Sequence, residues 1–147
     1  MAQKATFRIW RGQANEGGFV DYPVNVEDGM VALDVVHQIQ AEQAGDLACR
    51  WNCKAGKCGS CSAEINGKPR LLCMTRVGDL DLTKPVTIEP MQAFPNIKDL
   101  VSDVSWNYRM KEKIKPFKPR TPDNEDGTWN MSQADVERPQ EFRKCIE

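Results

Sequence analysis

Four cysteines carry the chemistry of this sequence. The stretch CKAGKCGSCSAEINGKPRLLC sets Cys53, Cys58 and Cys61 at Cys-x4-Cys-x2-Cys, and Cys73 follows after eleven more residues. That is a spacing used to hold a cluster of two irons and two sulfides. The reason is geometric. Four thiolates must converge on two tetrahedral irons, so one tight loop supplies three and a later element supplies the last. Gly56 and Gly59 fit the same reading. Without side chains, their backbone approaches the cluster closely, adopts positive φ and aims N–H groups at the sulfurs. Such a cluster with its thiolates carries roughly two negative charges when oxidised and one more when reduced. Lys54, Lys57, Arg70 and the loop amides are placed to offset that charge. A structural zinc site favours two short Cys-x2-4-Cys knuckles, and only one is present here. Disulfides suit a small secreted domain, for which the sequence opens with no signal.

The elements that must position these thiols follow from periodicity. Lys4 to Arg11 alternates Phe7 and Ile9 with Arg8 and Trp10, a strand pattern. A turn is expected at residues 15–18, with a returning strand from Phe19 to Val26. Met30 to Gln43 has helical spacing, with Val31, Val35 and Ile39 on one face, and Gly45 stops it. Ser62 to Ile65, Asn66-Gly67 and Pro69 to Met74 read as a hairpin with a type I′ turn, which puts Cys73 on its second strand. Val86 to Glu89 is a further short strand. Residues 96–114 read as one helix with Ile97, Leu100, Val101, Val104 and Tyr108 as a buried stripe. Residues 115–122 are proline-rich and extended. A polar loop around Trp129 then leads to a short helix capped by Ser132 with Asp135 and limited by Pro139. Cys49 lies outside the four-ligand pattern and reads as a small buried hydrophobe. The lone histidine, His37, reads as a surface or hydrogen-bonding residue and not as a ligand. Trp51 either shields the cluster from water or simply packs.

Composition narrows the class. The 147 residues allow one domain and a piece of another, and a net charge of −1 gives no bulk electrostatic case for nucleic acid or membrane lipid. No apolar run approaches a membrane span. A soluble, cytoplasmic protein with cysteines kept for metal is the expectation.

Beyond the cysteine loop, a longer succession of motifs carries a resemblance. IEPM at 88–91, FPNIKDLVSDVSWNY at 94–108, KIKPF at 113–117 and the terminal RKCIE follow CKAGKCGSC, Asn66-Gly67 and Leu71-Leu72-Cys73. In these residues the chain resembles the iron–sulfur subunit of succinate dehydrogenase and fumarate reductase. The resemblance implies an α+β fold: a β-grasp, plant-type ferredoxin domain over residues 1–100, then the truncated start of an α-helical 4Fe–4S ferredoxin domain over 101–147. It implies that Cys53, Cys58, Cys61 and Cys73 hold the 2Fe–2S cluster. Cys145 would open the Cys-x2-Cys-x2-Cys segment of a 4Fe–4S site, with a third cluster ligated beyond residue 147.

The implied function is electron transfer. Single electrons pass between the FAD of a partner flavoprotein subunit and a quinone at one or more membrane anchor subunits. The subunit would lie peripherally on the cytoplasmic face of a bacterial membrane, with no span of its own and no dicarboxylate catalysis by this chain alone. Three other readings compete: a stand-alone plant-type ferredoxin, the iron–sulfur module of a molybdenum hydroxylase, and a zinc-stabilised interaction module. The extension past residue 95 and the lone Cys145 speak against the first two.

Overall fold

β1 (Gln3–Gln13) buries Ala5, Phe7 and Ile9 and leaves Thr6, Arg8 and Trp10 more open, the period-two pattern of a strand with one face in a core. The computed structural model describes residues 3–14, 16–116 and 118–138. These divide into two compact units, Met1–Trp106 and Asn107–Glu147.

In the first unit β1 sits inside a mixed sheet. β2 (Glu16–Val26) returns antiparallel along its whole length, pairing Gln13 with Glu16 and Gln3 with Val26. The turn therefore falls just before Glu16, earlier than the glycines suggest. Gly17 and Gly18 instead lie in the ladder opposite Gly12 and Arg11. A Cβ on Gly17 would come within 2.8 Å of the Trp10 ring, so the ribbon is glycine-lined where Trp10 lies over it. On the other side of β1, β5 (Val86–Glu89) runs parallel, with Phe7 beside Val86 and Ile9 beside Ile88. β3 (Ser62–Ile65) pairs antiparallel with β5 and with β4 (Lys68–Leu71). The β3–β4 turn is Asn66-Gly67, with φ of 51° and 69°, the type I′ geometry expected of that dipeptide.

α1 (Ala32–Glu42) buries Ala32, Leu33, Val35, Val36 and Ile39 in the same core as Phe7, Ile9, Val24, Ile65, Val86 and Ile88. Fully burying each of the valine, leucine, isoleucine and phenylalanine side chains is worth about 1.5–3 kcal/mol, so this face holds helix to sheet. The helix begins where the Asp34 carboxylate accepts the Val31 N–H at 3.0 Å, an acidic group well placed at a positive helix end.

Residues 96–114 are not one helix. β6 (Asn96–Lys98) and β7 (Val101–Ser102) form a small antiparallel pair, and only α2 (Ser105–Glu112) is helical. The Asn96 amide donates to the carbonyls of Asp99 (2.9 Å) and Val101 (3.4 Å), closing a tight turn. Asp99 takes φ of 47°, which no helix accommodates. The apolar spacing here is not a buried stripe: Leu100 is buried, whereas Ile97 and Tyr108 are 49% and 65% exposed.

In the second unit, residues 118–132 have no regular structure. The loop is held by Arg120, which pairs with Asp123, and by Trp129 Nε1, which donates to the Arg120 carbonyl at 2.8 Å. α3 (Gln133–Glu137) is capped by Ser132 Oγ, which accepts the Asp135 N–H at 3.2 Å. Pro139 and Cys145 lie outside the described residues.

Candidate metal centre

The loop that leaves Cys49 and enters β3 has no regular structure, so its shape is set at its two ends and by its own amides. Upstream, Asp99 is the anchor. Its carboxylate, 2% exposed, accepts from the Ala48 N–H at 2.8 Å, the Gly12 N–H at 3.0 Å and Arg11 Nε at 3.0 Å. Arg11 donates further to Tyr22 Oη (2.7 Å) and Asp46 (2.6 Å). Burial alone would lower the Arg11 pKa, but the bonds to Tyr22 and Asp99 outweigh it and hold the guanidinium charged. Arg50 adds a bond to the Ser102 carbonyl at 3.3 Å, and Gln40 of α1 donates to the Leu47 carbonyl at 2.7 Å. Downstream, the Ser62 N–H and Oγ both donate to the Gly59 carbonyl, at 3.1 and 2.7 Å.

Between these ends, three residues take left-handed backbone: Lys54 (φ 52°), Gly56 (66°) and Gly59 (72°). The coil aims two amides at one sulfur, since the N–H groups of Ala55 and Lys57 each donate to Cys53 Sγ at 3.3 Å. A Cβ on Gly56 would meet Met74 Cγ at 2.7 Å, so any side chain there must displace that methionine. Lys54 is the strained member. A left-handed non-glycine residue costs about 1–2 kcal/mol. The Lys54 ammonium lies 4.6 Å from the Trp51 ring centroid, and a cation–π contact of that kind offsets about 0.5–2 kcal/mol. Trp51 meets His37 of α1 edge-on, with ring centroids 5.0 Å apart and planes at 63°. His37 is half-buried and its Nε2 is a buried atom with no hydrogen-bond partner. Burial first, then the Lys54 charge, lower its pKa, against the pull of Asp34.

Cys73 lies in the turn after β4, not on a strand. The ladder stops at Leu71, whose carbonyl accepts the N–H groups of Met74 (3.0 Å) and Thr75 (3.1 Å). The start of α1 then holds that turn: the Ala32 and Leu33 N–H groups, unpaired within their own helix, donate to the Thr75 and Leu72 carbonyls at 2.9 and 3.1 Å. The turn faces Cys73 toward Cys61, whose Sγ lies 3.5 Å from the Cys73 N–H.

The four thiols therefore fall into two pairs. Cys53 and Cys58 are exposed, and Cys61 and Cys73 are buried. The Ser60 hydroxyl, with amides and the Cys53 thiol, lowers the Cys58 pKa to about 6. Burial raises Cys61 to about 11, with the Cys73 amide opposing. Cys49 is raised to about 12 by burial and by Cys61, and it packs against the core as a small apolar group. Among the described residues, no three Cys, His, Asp or Glu side chains gather as they would around one metal ion. Two pairs of thiols suit two irons, two ligands on each, and the amides aimed at sulfur suit the charge that such a cluster carries. No sequence signal marks out Asp99, Ser60 or the His37–Trp51 contact, since each acts through a fold-dependent contact.

A single helix packed on a mixed sheet, with a thiol loop braced by the helix and by the Asp99 turn, defines a β-grasp domain of the ferredoxin type. The chain belongs to the family of 2Fe-2S iron-sulfur cluster binding domains, matched over residues 6–109. It is 37% identical over 130 residues to the fumarate reductase iron-sulfur subunit of Mycobacterium tuberculosis, covering 87% of this chain and 52% of that one. It is 34% identical over 135 residues to the mitochondrial succinate dehydrogenase [ubiquinone] iron-sulfur subunit of Candida glabrata, covering 88% and 53%. Among solved structures it is similar to a chain of the Mycobacterium smegmatis Sdh1 complex in the apo form. There the TM-score is 0.87 and the identity 53%, covering all of this chain and 61% of that one. The chain thus spans about half the length of the curated relatives it matches. The resemblance to the iron–sulfur subunits of succinate dehydrogenase and fumarate reductase is borne out by these relatives, and the β-grasp fold with it.

Proposed function

We propose that this chain carries single electrons as the iron–sulfur subunit, or its N-terminal part, of a succinate:quinone oxidoreductase or fumarate reductase. Cys53, Cys58, Cys61 and Cys73 are the ligands of its 2Fe–2S cluster, and Cys145 contributes to a 4Fe–4S site whose other ligands lie outside this sequence. We place the cluster-binding domain over the first compact unit, past the expected 1–100, because β7 and the Ser102 carbonyl that Arg50 grips belong to it, and the helical domain begins after Trp106. The observation that carries this reading is the pairing of thiols, one pair exposed and one buried. When bound, a 2Fe–2S cluster supplies one-electron transfer at a potential set by its surroundings. The buried pair keeps one edge of the site inside the core, and the exposed pair leaves the other edge open to a partner. The names of the relatives support a redox complex as the setting.

A dicarboxylate exchanges two electrons and protons, so a flavin must stand between it and a one-electron carrier. We place that FAD in a flavoprotein subunit docked over Lys54 and Lys57, with a quinone at membrane anchor subunits further on. Among the described residues no helix is long and apolar enough to cross a membrane, and we place the subunit peripherally, at the cytoplasmic face, through its anchor partners. The test is a pull-down with the flavoprotein subunit, together with a dye-linked succinate assay on each component. We expect binding, no succinate turnover by this chain alone, and weaker association after Lys54→Glu or Lys57→Glu than after Lys4→Glu. Failure to bind would favour a stand-alone ferredoxin, and turnover by the isolated, flavin-free chain would overturn the carrier reading.

A further inference from the structure

The contact of Trp51 with Lys54 has a consequence for the electron that the loop is built to hold. Lys54 follows Cys53 directly, and its left-handed backbone brings the Ala55 and Lys57 amides onto Cys53 Sγ. Its side chain is exposed, so on its own it would wander through solvent and its charge would be screened by water and salt. In the structure the ammonium instead sits 4.6 Å from the centroid of Trp51. Trp51 in turn rests edge-on against His37, whose helix is locked into the core. A chain of contacts thus runs from the rigid part of the fold to the ammonium of Lys54, the residue that follows Cys53.

We propose that Trp51 is a positioning residue for electron transfer: it holds the Lys54 ammonium as a fixed positive charge next to Cys53, and so raises the reduction potential of the bound cluster. This rests on the ligand assignment proposed above. Reduction adds one negative charge to the site. A cation held near it stabilises the reduced form, whereas a mobile, hydrated one does so weakly. With an effective dielectric of about 40, between a protein surface and water, one unit charge about 6–12 Å away changes the reduced-to-oxidised ratio at fixed ambient potential by about tenfold to threefold. Tenfold corresponds to about 59 mV for one electron.

The test is a double-mutant cycle on the cluster-loaded full chain, read as the midpoint potential in an EPR-monitored redox titration. Lys54→Gln is expected to lower the reduced-to-oxidised ratio about threefold to tenfold in the parent protein. In a Trp51→Leu background the same change is expected to have less than half that effect on the logarithmic scale. Lys54→Arg, which keeps a cation able to stack, is expected to restore most of the parent potential. An additive shift that Trp51→Leu makes in the potential appears in both arms and cancels, and Trp51→Met, which keeps the bulk that excludes water but has no ring to hold a cation, separates screening from positioning. Should Trp51→Leu fail to take up iron, Trp51→Phe replaces it, because its weaker ring must still cut the Lys54 effect measurably. An undiminished Lys54 effect, or none in the parent, overturns the inference while leaving the cluster assignment intact. No reduced-state signal from the parent chain at all would sink the assignment itself.

Discussion

Replacing Asp99 should damage this protein more than any other single carboxylate change. The side chain is 2% exposed and accepts from Gly12 N, Ala48 N and Arg11 Nε at 2.8–3.0 Å. Asp99→Ala strips the acceptor from two backbone amides and leaves the partly buried Arg11 with only Tyr22 and the exposed Asp46. An orphaned buried donor costs about 1–3 kcal/mol, and breaking one side of a buried ion pair costs about 3–5 kcal/mol. We expect a loss of about 3–5 kcal/mol, a large part of the ~5–15 kcal/mol that a domain has in total. Asp99→Asn keeps one acceptor oxygen but turns an N–H₂ toward a donor, so about 1–3 kcal/mol is expected. The assay is guanidinium denaturation followed by tryptophan fluorescence and by the visible absorbance of the cluster. Because Ala48 opens the run to Cys53, absorbance should be lost at lower denaturant than fluorescence in the variant. The exposed pair Arg8–Asp21 is the control, and Asp21→Ala should leave both midpoints nearly unmoved. A cost below about 1 kcal/mol for Asp99→Ala would refute the claim that this carboxylate anchors the loop.

Three further outcomes are expected. Serine at Cys53, Cys58, Cys61 or Cys73 should perturb or abolish the reduced-state EPR signal, and Cys49→Ser should leave it intact; a normal signal from Cys73→Ser, with no other cysteine substituting, would remove that ligand. Gly56→Ala should reduce cluster occupancy through a left-handed backbone cost of about 1–2 kcal/mol plus the Met74 clash, and adding Met74→Ala should recover part of it; no recovery would put the cost on φ alone. His37 has a lowered pKa in the fold, so the unfolded chain binds more protons as pH falls through 6.5. The stability of the cluster-loaded protein should then be full above that pH and decline below it. His37→Gln should flatten the slope between about pH 6.5 and 5, where carboxylates do not yet titrate; an unchanged slope would rule out the histidine as its source.

What could be read from the sequence was what depends on near neighbours. The Cys53–Cys61 spacing is a local template, the Asn66-Gly67 turn is a two-residue signal, and α1 shows its period within eleven residues. The apolar spacing of residues 96–114 imitates a helix that the chain does not form. The partners that decide otherwise, Gly12 and Ala48, lie 87 and 51 residues away. Cys73 missed its strand for a similar reason: the groups that bend the chain after Leu71 include the first amides of α1, far upstream. The Trp51 alternatives, shield or packing, had no answer in the sequence because both His37 and the φ of Lys54 are needed to see what the ring touches.

The parallel pairing of β1 with β5 bears on how the protein is made. Phe7 waits for Val86, and the brace on Ala48 waits for Asp99. Every cysteine of the loop therefore leaves the ribosome before the frame that orients it can close. At synthesis rates of about 5–20 residues per second, the delay between Cys73 and Asp99 is about 1–5 s. Through that interval the thiols are present but not yet gathered, open to oxidants and to the wrong metal. Iron and sulfide delivered to the nascent chain would meet a loop without its final geometry. Delivery once Asp99 has emerged would meet a formed one, and cluster insertion is accordingly expected to follow that point of synthesis.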